Sequence, residues 1–301
     1  MKRTNDGKRT AFWAIFLVLF LALIAASGYR LWKAAGTAPK VASHPVTKPL
    51  KPPAALKQPG PRPPAEEAAR PPGPALQTGR ENRIALVIDD IGYDPEAARD
   101  LAKLPVPVAF GILPHCPFSK EAARLAREGG KEILLHLPME PQGFPETDPG
   151  PGAVFRFMTA EEIAARVGES LEAVPGAVGV NNHMGSSFME DGERLAVVFR
   201  CLKERRLFFL DSLTTTGSEA AGTAGRLGVP FVARDIFLDN GNSQEDTREV
   251  LQRLLEKREH WRELVVIGHP YRNTVEVLEE MIPKLEKAGI HFVPLSSVVK
   301  R

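Results

Sequence analysis

The chain has 301 residues and a formal net charge of +2, but this balance hides two regions of opposite sign. Residues 1–80 carry 13 Lys and Arg against 3 Asp and Glu, whereas residues 81–301 carry 26 against 34. The acidic region excludes an electrostatic case for nucleic-acid binding, because phosphate contacts need a basic face. Cys116 and Cys201 are too few for a disulfide framework and lack the C-x-x-C spacing of a metal site. We expect two free thiols rather than one disulfide.

Residues 1–10 form a basic segment with four Lys or Arg residues, and residues 11–29 form an apolar run without a charged side chain. At about 1.5 Å per residue this run spans about 30 Å, the thickness of the hydrocarbon core of a membrane. Only Arg30 and Lys33 follow it closely, so the positive-inside rule predicts a transmembrane signal anchor with a cytoplasmic amino terminus. A signal peptide cleaved within LIAASG is the alternative. Both interpretations export the rest of the chain to the periplasm or the extracellular space.

Residues 30–80 are predicted to be a linker. Twelve prolines occur between residues 37 and 80, and no aromatic residue occurs between Trp32 and Tyr93. Such a segment buries too little apolar surface to offset the entropy lost on ordering, so we expect an extended, disordered spacer. The spacer would hold the remainder of the chain away from the membrane.

From residue 81 the pattern changes to short β-branched runs that alternate with amphipathic ones. The predicted strands are IALVI, VAFGI, EILLH, VGVN, LFFLD, PFVA, ELVVIG and HFVPL. Helix starts are marked by Asp94 before Pro95, and by Thr159 and Glu162 in the spacing of a capping box. This alternation predicts a parallel sheet with crossover helices, and no G-x-G-x-x-G supports a dinucleotide-binding fold. Residues 81–301 are therefore predicted to form a distorted or incomplete (β/α) barrel of seven to eight parallel strands.

Polar side chains follow nearly every predicted strand, at the end where (β/α) barrels carry their chemistry. A single His or Asp in such a position is more often structural. The segment RDIFLDN is equally consistent with a functional site and with a structural ion pair followed by a turn. Accumulation at one rim favours a site, and one Asp with two or three His is a ligand set typical of zinc. The rim residues are Asp89, Asp90, His115, His136, Asn181, Asn182, His183, Asp211, Ser212, Arg234, Asp235, Asp239, Asn240 and His269.

Six motifs in this order, IDDIGY, LLHLPME, NNHMGS, LDS, RDIFLDN and GHP, resemble the divergent polysaccharide deacetylases. This family is a branch of the glycoside hydrolase/deacetylase superfamily with NodB-like relatives. The resemblance covers residues 83–299 and none of residues 1–80. It implies a distorted (β/α) barrel, a divalent metal bound by one Asp and two His, and removal of acetyl groups from amino sugars.

The double aspartate of the family maps onto Asp89 as the catalytic base and Asp90 as a metal ligand. His136 matches the first histidine of the second motif, but Glu140 stands where the second histidine is expected. We therefore predict His183 as the third ligand, with Glu140 as the alternative, and zinc as the metal. A cation on Asp90 would relieve its repulsion with Asp89 and leave Asp89 free to act as the base.

Other roles follow from the same resemblance. His269 matches the general acid, and Arg234 is the candidate to replace a base-orienting arginine that is absent from NNHMGS. Asp211 and Asp235 are predicted to orient histidines. The predicted substrate contacts are Asn182, Ser186, Arg234 and Asp239. The loop 141–158 is long enough to shape a groove, in which Phe144, Phe155 and Phe157 either stack on sugar rings or pack as a loop core.

Three functions are compatible with these residues. The favoured one is an exported, membrane-anchored, metal-dependent deacetylase of N-acetylated cell-envelope polysaccharide such as peptidoglycan. The second is a carbohydrate-binding or scaffold protein that has lost turnover, which Glu140 favours mildly and the retained aspartate pair opposes. The third is a glycoside hydrolase that uses Asp89 with Asp211 or Asp235 as its two carboxylates.

Overall fold

The structure is a computed structural model that describes residues 81–241 and 243–300. The predicted basic segment, transmembrane anchor and linker lie outside the described residues. Within the described part of the chain, no helix combines the length and apolar character needed to cross a membrane.

Strands and helices alternate along the described residues. The described residues form nine strands, namely β1 (Asn82–Ile91), β2 (Ala109–Ile112), β3 (Glu132–Met139), β4 (Gly179–Met184), β5 (Phe208–Asp211), β6 (Phe231–Ala233), β7 (Ile236–Phe237), β8 (Glu263–Gly268) and β9 (Ile290–Phe292). This part of the chain also forms seven α-helices, namely α1 (Pro95–Lys103), α2 (Ser119–Glu128), α3 (Ala160–Ala173), α4 (Gly192–Glu204), α5 (Ala220–Leu227), α6 (Gln244–Glu256) and α7 (Arg272–Lys287). Short 3₁₀ turns occur at Phe188–Glu190, Arg258–His260 and Leu295–Ser297.

All strands are parallel and form one curled sheet in the order β6-β5-β4-β3-β2-β1-β8-β7. Strand β9 pairs with the amino-terminal residues of β1, and β2 pairs with the carboxyl-terminal residues on the same edge of β1. The two end strands, β6 and β7, are joined in the chain by Arg234 and Asp235 alone. The predicted incomplete (β/α) barrel is therefore confirmed as a half-barrel of parallel strands, whose open seam lies between β6 and β7.

The alternation of side chains along each strand divides the core into two layers. In β1, Ile84, Leu86 and Ile88 pack against the helices, whereas Ala85 and Val87 face the inside of the barrel. The inner layer also contains residues of β2, β3, β5, β6 and β8, together with Leu295 and Val298 near the carboxyl terminus. Further along the strands the inward positions change from apolar to polar, and this change marks the rim described below.

Local capping explains why the predicted helix starts agree with the structure. Asp94 caps α1 by accepting hydrogen bonds from the backbone of Glu96 and Ala97. Both hydrogen bonds of the Thr159–Glu162 capping box are present at α3. Helix α5 and strand β7 were not predicted, because α5 is a short run rich in Ala and Gly and β7 has two residues inside a polar motif. Both cysteines are free, as expected.

Candidate metal centre and active site

A β-bulge brings the two adjacent aspartates to the rim. Ile88 pairs with Phe110 and Ile91 pairs with Ile112, so β1 uses one residue more than β2 between these pairs. Asp90 has a φ of 57°, in the left-handed region that such bulges use. The inserted residue breaks the alternation of the strand, and the two carboxylates approach the same histidine from different depths. Asp89 is only 2% exposed, whereas the Asp90 side chain is 31% exposed.

Three potential ligand atoms converge at this bulge. Asp90 Oδ1 lies 2.8 Å from His183 Nδ1 and 3.1 Å from His136 Nε2, and the two nitrogens are 3.2 Å apart. Tetrahedral zinc with bonds of about 2.0–2.1 Å separates its ligand atoms by about 3.3 Å. Asp90 Oδ1 is also buried and has no hydrogen-bond partner among the described residues. The donor set and its spacing therefore fit a divalent cation.

The charge state of Asp90 agrees with this fit. Burial raises the pKa of the Asp90 carboxyl, but its contacts with His136 and His183 outweigh burial and hold the pKa well below its usual range. A metal ligand must be deprotonated, and Asp90 is therefore ready to bind. Glu140, the alternative ligand, is not among the side chains that converge here. Its carboxylate accepts hydrogen bonds from the Arg156 backbone and the Ser187 hydroxyl.

Asn181 links a predicted ligand to the predicted base. Its Nδ2 donates to both carboxylate oxygens of Asp89 at 2.8 and 2.9 Å, and its Oδ1 lies 3.0 Å from His136 Nδ1. The amide oxygen can only accept, so Nδ1 of His136 carries the proton and Nε2 keeps its lone pair for a metal. Arg234, the predicted orienter of the base, instead donates to the carbonyls of Ser212 and Leu213. Asn181 occupies the orienting position.

Asp89 lies in a tight space that a glycine creates. A methyl group at Gly111 of β2 would come within 2.0 Å of Asp89 Oδ1. Burial raises the pKa of Asp89, and the nearby His136 and Asn181 only partly oppose this effect. A buried aspartate with a raised pKa is a stronger base than an exposed one.

His269 stands across the rim and is held by a carboxylate. Asp239 Oδ1 lies 2.8 Å from His269 Nδ1, and Asp239 Oδ2 accepts hydrogen bonds from His269 N and Thr274 Oγ1. His269 Nε2 then lies 3.9 Å from Asp90 Oδ2. Burial lowers the pKa of His269, but Asp239, followed by Asp90 and Asp89, reverses this effect and raises it. Asp239 was predicted to bind substrate, and in the structure it positions this histidine.

A stack of planar groups runs from the seam to His269. The Arg234 guanidinium lies 3.8 Å from the centre of the Phe237 ring. Phe237 stacks on His269 with ring centres 6.0 Å apart and planes inclined by 21°. Tyr271 lies on His269 at 5.5 Å. The sequence did not indicate a role for Phe237, because its only signal is its position two residues before Asp239, the partner of His269.

The remaining predicted residues support loops. Asp211 accepts hydrogen bonds from the Leu213 backbone and the Ser218 hydroxyl, and Asp235 accepts one from the Val265 backbone. Asp211 therefore does not orient a histidine, and the positions next to the rim histidines are occupied by Asn181 and Asp239.

Two predicted substrate contacts are also engaged within the protein. Asn182 accepts a hydrogen bond from Ser212 N and donates hydrogen bonds to Met184 O and Thr214 Oγ1. Its side-chain amide is thus fully engaged, and the residue is only 1% exposed. It therefore braces the loop after β5 and is unsuited to donate to an oxyanion. Ser186 Oγ accepts a hydrogen bond from the backbone of Gln142, in the loop that follows β3.

A cavity of about 230 Å³ opens beside the three converging ligand atoms. Asp90 and His183 line one side, and residues 148–151 of the loop 141–158 line another. Tyr93, Cys116 and Pro138 are also part of the wall. The loop therefore contributes to a groove at this rim, as its length predicted.

Comparison with known proteins agrees with this architecture. The family model for divergent polysaccharide deacetylase matches residues 86–299. YibQ of Escherichia coli, described as uncharacterized, is 32% identical over 217 residues, which are 72% of this chain and 67% of YibQ. An uncharacterized protein of Haemophilus influenzae is 32% identical over 199 residues, covering 66% of this chain and 70% of that protein.

A solved structure provides the fold comparison. The crystal structure of the uncharacterized protein ATU2773 from Agrobacterium tumefaciens is 24% identical and has a TM-score of 0.68. The match covers 74% of this chain and 92% of that one, and it shows that the two share a fold. The family match and the two relatives together lead to one conclusion: the chain belongs to the divergent polysaccharide deacetylase family.

Proposed function

We propose that this protein is an exported, membrane-anchored, metal-dependent deacetylase that removes N-acetyl groups from cell-envelope polysaccharide. One observation carries the proposal. The ligand atoms of Asp90, His136 and His183 approach one another to 2.8–3.2 Å, between a buried aspartate and a carboxylate-held histidine. The export and the anchor rest on the composition of residues 1–80.

The three ligands would hold zinc through Asp90 Oδ1, His136 Nε2 and His183 Nδ1. A divalent metal in such a site polarises an acetyl carbonyl and acidifies a water molecule. Asp89 accepts the proton of the attacking water, and Asn181 keeps its two oxygens oriented. The raised pKa of Asp89 supports this role, because burial makes its carboxylate more basic.

His269 completes the reaction by giving a proton to the leaving amine. Asp239 binds Nδ1, so Nε2 is the nitrogen that faces the site, on the side of Asp90 Oδ2. The raised pKa of His269 keeps the imidazole protonated to a higher pH than that of an isolated histidine. Asp89 and His269 thus supply the base and the acid of the proposed amide hydrolysis.

The two-carboxylate glycoside hydrolase has less support. It needs a second carboxylate that is free to act with Asp89. Asp211 is bonded to Leu213 and Ser218, and Asp235 is bonded to Val265 in the seam. Neither carboxylate is presented as the partner of Asp89.

The proposal is tested with the full chain, by measuring its zinc content and the acetate it releases from peptidoglycan and from N-acetylglucosamine oligomers. We expect one zinc per chain, acetate release that a chelator abolishes, and recovery when zinc is added. A protein that binds these glycans and zinc without releasing acetate would instead be a carbohydrate-binding protein. Release of reducing ends without acetate would indicate the glycoside hydrolase.

A further inference from the structure

The loop 141–158 carries a cluster of three aromatic rings that the catalytic proposal does not use. Phe155 and Phe157 are stacked, with ring centres 5.2 Å apart and planes inclined by 13°. Phe144 packs against Phe155 at 4.8 Å. Phe157 itself is 71% exposed. The rings therefore support one another and leave a flat apolar face in contact with solvent.

The backbone places Phe155 of this cluster on the cavity side of the rim. Val154 N donates to Pro138 O and Glu140 N donates to Val154 O, so the loop returns beside the end of β3. Val154 is buried in the layer between sheet and helices, and successive residues of an extended segment face opposite sides. Phe155 therefore faces the side of β3 that carries His136 and Pro138. Pro138 lines the cavity and lies two residues before Glu140, whose backbone bonds to Val154. Two residues of a strand span about 7 Å, so the aromatic segment begins about 7 Å from a residue of the cavity wall.

Glu140 holds this arrangement. Its Oε2 accepts a hydrogen bond of 2.7 Å from the backbone N of Arg156, the residue between Phe155 and Phe157 in the sequence. Its Oε1 accepts a hydrogen bond from Ser187 Oγ. The residue that stands where a ligand histidine was expected thus anchors the aromatic segment to the rim.

The size of the cavity makes the cluster relevant to substrate. At about 230 Å³ it is smaller than the roughly 300–1,000 Å³ of pockets that enclose drug-sized ligands, so a glycan longer than one sugar must continue outside it. An exposed aromatic face is a suitable surface for the C–H face of a sugar ring, because both are flat and apolar. The loop that walls the cavity with residues 148–151 also presents such a face at Phe157.

We propose that Phe157, supported by Phe144 and Phe155, is a stacking platform for the sugar next to the reacting one. The substrate is then a chain of amino sugars rather than a monosaccharide. This inference rests on the proposed function for the identity of the reacting sugar, and its own test is a binding experiment.

The test uses the full chain in the Asp89→Asn background, so that proton transfer is blocked and binding is measured without turnover. Affinities for the monomer and the tetramer of N-acetylglucosamine are measured by calorimetry. We expect the tetramer to bind about tenfold more tightly than the monomer, and Phe157→Ala to reduce this ratio to about twofold. Phe157→Tyr should retain the ratio, because it keeps the flat ring.

Val178→Ala is the matched control. Val178 is also an exposed apolar residue, at 41%, but it precedes β4 and lies at the opposite end of the barrel. We expect it to leave the tetramer-to-monomer ratio unchanged. Thermal unfolding of each variant verifies that the comparison is made between folded proteins.

Three results would overturn the platform: no preference for the tetramer in the parent, the same ratio in Phe157→Ala, or an equal loss in Val178→Ala. Higher affinity of Phe157→Ala for both sugars would also overturn it, because another segment of the chain would then cover the ring. Acetate release by the wild-type chain is followed separately. Phe157-dependent binding without acetate release would refute the proposed function and keep the platform, and acetate release with an unchanged ratio would do the reverse.

Discussion

The two sides of the rim hold their histidines in different ways. On the β3–β4 side, His136 and His183 direct nitrogens at one carboxylate oxygen, and the other nitrogen of His136 is bound by the Asn181 amide. On the β8 side, His269 is bound by its own carboxylate, Asp239. An amide oxygen fixes a tautomer without adding charge, whereas a carboxylate stabilises the protonated ring. The difference agrees with the proposed division between two metal ligands and one proton donor.

His136 and His269 also differ in what sets their pKa values. Burial lowers the pKa of His136, but Asp89 and Asp90 outweigh it, so the pKa is raised when no cation is bound. A divalent cation on Asp90 would offset that effect, because its charge reverses the local field. The pKa of His269 is raised mainly by Asp239, which lies on the far side of its ring from the ligand cluster. In the proposed mechanism, Asp239 therefore keeps His269 protonated when a metal occupies the site.

The largest effect is expected from removing a histidine on the metal side. His136→Ala should abolish stoichiometric zinc binding and lower acetate release by about 10³-fold or more. His291→Ala is the control, since His291 lies on β9 beside the amino-terminal end of β1, far from the rim. Zinc analysis and acetate assays measure both effects. Full zinc content in His136→Ala would show that His136 is not a ligand.

The next effect separates the base from the metal. Gly111→Ala places a methyl group where Asp89 Oδ1 lies, so the carboxylate must move. We expect acetate release to fall by about 10²-fold while zinc remains bound. Gly225→Ala, in helix α5 with open space around the added methyl group, should leave activity unchanged. Normal turnover in a folded Gly111→Ala protein would contradict the role of Asp89.

The third effect tests the other side of the rim. Asp239→Asn removes the carboxylate that raises the pKa of His269 above its ordinary value of 6.5. Because His269 acts in its protonated form, activity falls as pH rises through this pKa. The variant should lose activity at lower pH than the wild type, with a loss of about 10-fold to 100-fold near neutrality and normal zinc content. An unchanged alkaline limb in the pH profile of kcat/KM would show that His269 is not the acid.

The smallest effect concerns the stack. Phe237→Leu removes the ring between Arg234 and His269, and Phe237→Tyr retains it. We expect Phe237→Leu to lower kcat by about threefold to tenfold with little change in KM, because the imidazole loses one support but keeps Asp239. Phe237→Tyr should behave as the wild type in the same steady-state assay. Equal kinetics in all three proteins would limit the stack to a structural role.

Much of the fold could be predicted because its signals are local. The strands from IALVI to HFVPL were recognisable by length and β-branched content, and the starts of α1 and α3 by the caps at Asp94 and Thr159. The rim could also be located, since parallel strands place their carboxyl ends together. Asp90, His136 and His183 lie together in the structure because each lies in the carboxyl-terminal half of a strand (β1, β3 and β4) of the same parallel sheet.

The rest depends on relations between strands that no local pattern contains. The bulge at Asp89 and Asp90 is a register shift against β2, and Gly111 has meaning only beside it. Asp211 was wrongly predicted to orient a histidine and Asp239 was assigned to the substrate, because these aspartates have similar sequence contexts. Only the pairing of β8 with β7 brings Asp239 next to His269.

The asparagine at position 181 has a consequence for the electrostatic balance of the buried centre. It orients Asp89 without a formal charge, and Arg234 is directed to the carbonyls of the neighbouring loop. When both are ionised, Asp89 and Asp90 place two negative charges in this pocket, and their ion-pair partners among the described residues are histidines rather than Arg or Lys. A doubly charged ion brings such a pocket to electroneutrality, whereas a singly charged ion leaves a residual charge in a region of low polarisability. In the proposed function, the amide at position 181 therefore leaves a divalent ion, rather than a guanidinium, to balance the charge of the two aspartates.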